Sequence, residues 1–384
     1  MDKIPHVALI IETSSTYGRA LLEGVRRYMV SHSPWSVFLD QSDIFSRTPA
    51  WLSTWRGDGI ICRTRRSAIE LRDSNCALVD LSDIDPPHEG IPRIESDHEA
   101  IGRLAAEHLL GRGFSRFAFC GHSEHRWSRM RQKGYTERLR HEGYQVDILD
   151  TVWNERRDQS WEGEQERIAA WLLGFSGPTA VFAANDLQGQ HVLDACARAE
   201  LSVPEQIAVL GCDNDIIVCE LGQPALSSIV PNAEEIGARA AEMLDILMRR
   251  EPPAEGHQLI APISICERQS TDITAIDDPV MQQALQLIRE QSCMGLRVEE
   301  LLDHLQISRT NLERRFRKHL DRSPHAEIRR IQINRAKELL AGTDLTLDQI
   351  ARLCGFEHPE YLSVVFKRLE QETPGSYRQS TRSD

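Results

Sequence analysis

Between Ser308 and Lys318 the chain reads SRTNLERRFRK, a segment whose residue types suit contact with a nucleic acid. A serine at its head is a favoured helix N-cap, because the hydroxyl oxygen accepts a free amide of the first turn. Leu312 and Phe316 are four residues apart and share one face of the predicted helix. Thr310, Arg314, Arg317 and Lys318 fall on the opposite face. An apolar side for anchoring and a basic, hydrogen-bonding outer side fit a DNA major groove, where arginine reads guanine through paired hydrogen bonds. A second set of candidates is spread over the first two thirds of the chain. Glu12, Thr13, Asp80, Asn185, Asp186, Asp213 and Asn214 each follow a short apolar run. Taken singly, such residues are more often caps and turn formers than ligand contacts.

Those runs are the elements that must position them. Residues 1 to about 272 alternate short β-like segments with amphipathic helical ones. Strands are predicted at Val7–Ile11, Ser36–Leu39, Gly59–Cys62, Ala77–Val79, Arg116–Cys120, Ala180–Ala183 and Ala208–Gly211, and helices at 17–30 and 99–110. Such alternation implies parallel sheets with crossover helices, and ligands of these sheets bind beyond the C-terminal strand ends. Residues 273–280, ITAIDDPV, form a linker between a domain at 1–272 and one at 281–384, since Asp-Asp-Pro disfavours helix before the proline. From there the pattern is wholly helical, with helices predicted at 279–292, 298–304, 308–320, 324–341, 346–353 and 358–370.

Composition sets outer bounds. The 384 residues carry 45 basic and 58 acidic side chains, a net charge of −13, which argues against a protein coated in nucleic acid. The imbalance is local: residues 277–384 hold 17 of each sign, so the rest of the chain carries all of it. No apolar stretch approaches the roughly 20 residues needed to cross a bilayer, and the N-terminal run resembles a strand rather than a signal peptide. The nine cysteines are scattered without a Cys-x-x-Cys pair, as expected of reduced thiols in a cytoplasmic protein. Neither a phosphate-binding Gly-x-x-x-x-Gly-Lys-[ST] loop nor a Gly-x-Ser-x-Gly elbow is present, and no enzymatic activity is expected. His122 and His125 have metal-ligand spacing but no nearby cysteine, and are expected in a solvated loop. A metal site and an exported binding protein are the alternatives set aside.

The helical part contains a doubled unit. Val298–Lys318 and Thr346–Arg368 both place Leu-x-x-x-Phe-[RK] in their second helix, and RIQINRAKELL joins them. With the tail Thr373-Pro374-Gly375-Ser376-Tyr377-Arg378, residues 281–384 resemble the DNA-binding domain of AraC/XylS-type transcription regulators, two helix-turn-helix units linked by a long helix. The resemblance implies contacts to double-stranded operator DNA from Arg309, Thr310, Asn311, Glu313, Arg314, Arg317 and Lys318 in the first unit. In the second it implies His358, Glu360, Ser363 and Lys367. Arg315 and Arg317 are expected to meet solvent or phosphate. The second unit departs from the family: His358-Pro359 replaces the capping serine, and Val364 stands where arginine is often found, which weakens base readout there.

The motifs ALVDLSD (77–83), RIESDHEAIGRLAAEHLLGRGFSRFAFCG (93–121), Arg131-x-x-Gly134, FAANDLQG (182–189) and VLGCDND (209–215) resemble the periplasmic-binding-protein-type sensor of LacI/GalR regulators. ALSSIVPN (225–232) resembles the return to the first lobe and 263–272 the last strand. The implied fold is two α/β lobes closing on a ligand, followed by the all-α domain. By this resemblance Asp80, Arg131, Asn185 and Asp213 line the cleft, a set suited to a sugar's hydroxyls. Trp127, Tyr17 and Trp161 are candidates to stack on its apolar face, and Glu12 and Arg19 lie near the first strand end. The pairing of the two domains resembles that of the xylose-operon regulators, which implies a monosaccharide effector, D-xylose foremost, and no other cofactor. It further implies a bacterial, nucleoid-associated homodimer that activates a pentose operon through RNA polymerase, without contact to a membrane. Another small sugar or metabolite, or repression, is left open by the residues.

Overall fold

Val7 to Ile10 lie in a sheet covered on both faces, so an unbroken apolar run is what their position demands. That strand, His6–Ile10 (β1), leads into Thr16–Ser31 (α1), where the Ser15 hydroxyl accepts from the Gly18 amide. Ser36–Asp40 (β2), Gly59–Cys62 (β3), Ala77–Asp80 (β4) and Arg93–Ser96 (β5) follow. The chain then builds a second layer from His98–Gly111 (α2), Phe117–Gly121 (β6), Arg126–His141 (α3), Val146–Asp150 (β7), Trp161–Leu173 (α4) and Thr179–Ala183 (β8). Asp186–Arg198 (α5), Ile207–Cys212 (β9), Ile216–Leu221 (α6) and Ser227–Val230 (β10) complete it. Ala233–Met248 (α7) and His257–Ile260 (β11) return to the first layer, and Ser264–Cys266 (β12) closes the second. This computed structural model describes residues 4–32, 34–40, 50–63, 76–151, 161–253, 255–272, 275–276 and 278–381.

The strands form two six-stranded sheets. The first runs β11-β5-β4-β3-β1-β2, all parallel; the second runs β12-β10-β9-β8-β6-β7, parallel except for β12 against β10. Two α/β lobes result, as expected. The chain passes between them three times, after β5, after β10 and after β11. Two of these crossings are hydrogen-bonded to the third: the Asp97 amide donates to the Ile260 carbonyl (2.8 Å) and the Ile263 amide to the Val230 carbonyl (2.9 Å). The predicted strands appear within about two residues of their expected ends. β5 was not among them, because two of its four residues are charged. Both are buried with partners: Arg93 with Asp80, and Glu95 with Arg126 and His257.

Helix pairs brace each lobe at glycines. A Cβ on Gly102 of α2 would lie 2.6 Å from the Tyr135 nitrogen, and one on Gly134 of α3 would lie 2.8 Å from the Glu99 carbonyl carbon. In the first lobe, Gly24 and Gly237 hold α1 against α7 in the same way. The first crossing matters to the site, because α3 carries Arg131.

The chain divides into two compact units, Met1–Ile273 and Thr274–Asp384. Of the expected linker 273–280, Ile273, Thr274 and Asp277 lie outside the described residues, Ile276 is buried and Asp278 caps the next helix. The second unit is helical: Pro279–Gln291 (α8), Val298–Leu305 (α9), Arg309–Leu320 (α10), Pro324–Gly342 (α11), Leu347–Leu353 (α12), Pro359–Glu370 (α13) and Pro374–Thr381 (α14). Ser308, Thr346 and His358 sit just outside the helices they precede, and α14 is an addition to the expected set. Gln332 in the middle of α11 donates to the Ser292 carbonyl at the end of α8 (2.8 Å) and to the Gly355 carbonyl in the turn after α12 (3.5 Å), tying the joining helix to both places. Among the described residues no helix is long and apolar enough to cross a membrane.

Replacing Gly102 by alanine should force α2 and α3 apart and cost about 1–3 kcal/mol, as overpacking does. Thermal unfolding of the full chain measures this, and an unchanged midpoint would contradict the close approach.

Candidate ligand cleft and nucleic-acid interface

The C-terminal strand ends of both sheets meet a continuous buried chain of charged and polar groups. Glu12, just past β1, pairs with Arg63, just past β3. The Arg63 guanidinium reaches the Asp83 carboxylate at 3.5 Å, and Asp83 faces His98 Nε2 at 3.6 Å. Arg131 Nε donates to His98 Nδ1 (3.4 Å), and its Nη2 donates to Asp213 (3.0 Å) while Nη1 donates to the Ala184 carbonyl (2.6 Å). Glu12, Arg63, Asp83, His98 and Arg131 are all buried. Each arginine lies against an aromatic ring, Arg63 over Tyr17 (4.6 Å) and Arg131 over Trp127 (5.0 Å). Burial alone would raise the Asp83 carboxyl, but Arg63 and His98 outweigh it and hold the group well below the usual carboxylate range. Four atoms of this chain have no hydrogen-bond partner among the described residues: Glu12 Oε2, Arg63 Nε, Asp83 Oδ1 and His98 Nε2. Buried polar atoms left this way are costly, and a ligand with several hydroxyls could satisfy them.

Several expected contacts have other work. Both oxygens of Asp80 are taken within the first lobe, by Arg93 (Nε, 2.8 Å) and the Ser82 amide (2.8 Å). Asn185 caps α5 through its side-chain oxygen (2.8 Å to the Gln188 amide). Arg19 is exposed and holds the turn before α1, donating to the Thr13 and Ser14 carbonyls and to Thr16. The Tyr17 hydroxyl bonds Ser96 at 3.0 Å. Trp161 is half exposed and edge-on to His191 (4.5 Å). His122 and His125 are not in a solvated loop but buried, with His125 stacked on Trp127 (5.9 Å, 7°). Burial pushes His122 down to about 4, so it is neutral at physiological pH. Among the described residues no cluster of three metal-ligating side chains occurs. Arg63, Asp83 and His98 were missed by the sequence reading. The same signal locates Arg63, which directly follows β3, and His98 lies two residues past β5.

Side-chain hydrogen bonds also join the lobes directly. Thr16 of the first lobe donates to Asp215 of the second (2.7 Å), and Arg126 at the start of α3 donates to Glu95 of β5 (2.5 and 3.1 Å).

In the helical unit Leu312 and Phe316 are fully buried, and so are Leu362 and Phe366. Thr310, Glu313, Arg314, Arg317 and Lys318 are exposed and bonded to no described side chain. Arg309 is paired with Glu299. Arg315, expected to meet solvent or phosphate, instead pairs with Asp278 and donates to the Asn311 side-chain Oδ1 (3.0 Å), fixing α10 to the cap of α8. Asn311 therefore faces this brace. On α13, His358, Glu360 and Lys367 are exposed, whereas the Ser363 hydroxyl donates back to the Pro359 carbonyl (2.9 Å).

Comparison with known proteins matches residues 106–271 to a periplasmic binding protein-like domain and residues 301–380 to a helix-turn-helix domain. The xylose operon regulatory protein of Escherichia coli K12 is 32% identical over 97% of this chain and 96% of its own length. The chain belongs to the family of xylose operon regulatory proteins. The family's protein from Haemophilus influenzae is 31% identical over 97% of both chains. The solved structure of the xylose-binding transcription activator XylR superposes with a TM-score of 0.85, at 29% identity over 99% of both chains. Membership makes the chain a sugar-responsive, DNA-binding transcription regulator, with the two-lobed unit as sensor and the helical unit as DNA reader.

Asp186, beneath the cleft, accepts from Ser228 (2.5 Å) and the Asp215 amide (2.7 Å). Burial first, and then the neighbouring Asp213 charge, push its carboxyl up to about 8. A folded-state value above the unfolded value of ~3.9 means its contribution to stability is complete below that value and is lost as pH rises through about 8. Urea unfolding should therefore show stability falling between pH about 5 and about 8, and falling less in Asp186→Asn. An equal fall in both proteins would remove Asp186 as the cause.

Proposed function

We propose that the cleft binds a monosaccharide, D-xylose foremost, and that the sugar switches the protein as a homodimer on operator DNA. In this reading it activates a pentose catabolic operon from the cytoplasm by presenting RNA polymerase with a correctly docked partner. The observation that carries the sugar is the set of unpartnered buried atoms on Glu12, Arg63, Asp83 and His98, beside Arg131 and Asp213. They include acceptors as well as a donor, the mixture that vicinal hydroxyls require. The rings of Trp127 and Tyr17 lie beside these groups, with Arg131 and Arg63 against their faces, and are assigned to edge the sugar. Arg131 and Asp213 are assigned direct contact with the sugar. Asp80, Asn185 and Arg19 shape the loops that hold them. The names of the relatives, a xylose operon regulatory protein and a xylose-binding activator, support D-xylose over other sugars.

On the DNA side, Thr310, Glu313 and Arg314 are assigned to base edges, and Arg317 and Lys318 to phosphates. Arg309 and Asn311 orient the helix, and His358, Glu360, Ser363 and Lys367 belong to the second reader. No enzymatic step is assigned to any of these residues.

Titration calorimetry with a panel of pentoses and hexoses tests the sensor. D-xylose should bind most tightly, and Arg131→Ala should weaken it about 10–100-fold, the loss expected for hydrogen bonds from a charged donor. The absence of heat from every sugar would sink the proposal. For the reader, Arg314→Ala should cost about 1–3 kcal/mol of discrimination at one base pair while leaving nonspecific binding nearly intact. Equal losses on specific and random duplexes would move Arg314 to the phosphates.

A further inference from the structure

The second helices of the two helix-turn-helix units, α10 and α13, superimpose in sequence at one offset, fixed by their buried anchors: Leu312 with Leu362 and Phe316 with Phe366, all four fully buried. In that register Val364 takes the place of Arg314. It is 64% exposed, on a helix whose opposite face, Leu362, Val365 and Phe366, is packed into the core. One exposed valine is ordinary on a protein surface. This one stands at the position that in α10 carries the outward arginine, flanked by exposed Lys367 and Arg368 able to neutralise phosphates. Close to Val364 on α13, the Ser363 proton is spent on the Pro359 carbonyl (2.9 Å), Glu360 is an acceptor, and the half-exposed Tyr361 ring lies against Phe356 and Arg329.

We propose that α13 reads its half of the DNA site through the C5-methyl group of thymine, with Val364 as the contacting residue. The inference rests on the reading of the helical unit as a DNA binder and adds what its second helix recognises. In the major groove the thymine methyl is the one feature of a base pair that an aliphatic side chain can distinguish. Packing Val364 against it removes one methyl-sized apolar surface on each side from water. The two units then differ in kind, α10 reading a guanine by hydrogen bonds and α13 a thymine by shape and apolar contact.

The test begins with selection of binding sites from a randomised duplex pool by the full chain. Each thymine of the selected site is then replaced singly by deoxyuridine, which removes only the methyl. One or two thymines in the segment reached by α13 should each lose about fourfold in affinity, the worth of one buried methyl group. Val364→Ala should lose a similar factor on the thymine duplex and nothing further on the deoxyuridine one. Val364→Arg should shift the preference at that base pair from thymine to guanine, as the place of Arg314 in α10 implies.

Wild-type binding indifferent to every deoxyuridine would overturn the proposal, and so would a Val364→Ala protein that keeps the full sensitivity. A Val364→Ala protein that binds DNA normally but transcribes poorly would overturn it too, by assigning the valine to a protein partner. Failure of the DNA-binding reading itself is distinguishable, because no sequence would then be enriched.

Discussion

A buried guanidinium is tolerable only where acceptors replace the water it has lost. The sensor is organised around two of them. Arg63 and Arg131 are held by Glu12, Asp83, His98, Asp213 and the Ala184 carbonyl, in one chain that runs from the first strand of one lobe to the end of β9 in the other. Removing Arg63 leaves the buried Glu12 and Asp83 carboxylates without their arginine, which costs more than the bonds themselves. The aromatic rings beneath the two arginines do not neutralise them, but they fix the guanidinium planes and exclude water from one side. The glycine crossing of α2 and α3 serves the same end, because it sets the height at which α3 delivers Arg131.

Much of this was legible in the sequence, and what was not failed for a physical reason. Apolar runs ending in polar residues gave the strands and pointed at their C-terminal ends, which is where Glu12 and Asp213 stand. Asp80 illustrates the limit. It ends β4 as expected, yet its carboxylate is consumed by Arg93, a residue in a strand whose two charges disguised it. The position that faces the cleft is Asp83, three residues on. Which of two nearby carboxylates is free depends on a partner distant in sequence, and no local pattern carries that information. Arg315 is the matching case in the helical unit: its face of the helix was visible, its partner Asp278 was not.

The helical unit was read more completely because its anchors are local. Leucine and phenylalanine four apart define a buried face without reference to anything else, and the repeat at a fixed offset supplies a second, independent reading of the same register. That register also exposes the inequality of the two units. α10 begins with a capping serine and presents Arg314, whereas α13 begins with an uncapped His358 before Pro359 and presents Val364. Gln332 of the joining helix bonds the carbonyl that ends α8 and the turn of the second unit, so α11 is anchored on both sides.

A sugar can shift the sensor only by as much as it prefers one arrangement of the lobes over another. In the proposed reading that preference arises where one sugar meets groups of both lobes. Glu12, Arg63 and Asp83 belong to the first lobe, Arg131 and Asp213 to the second, and His98 follows the crossing between them. A ligand bonded to one lobe alone would bind open and closed forms equally and change nothing. A ligand that bridges them gains bonds only where the lobes are close together, and Thr16–Asp215 and Arg126–Glu95 join the lobes without it. Those clasps lower the cost of closing without the sugar, and so set how much of the sugar's binding energy is left to act as signal. Their strength, rather than the depth of the cleft, then fixes the balance between sensitivity and background.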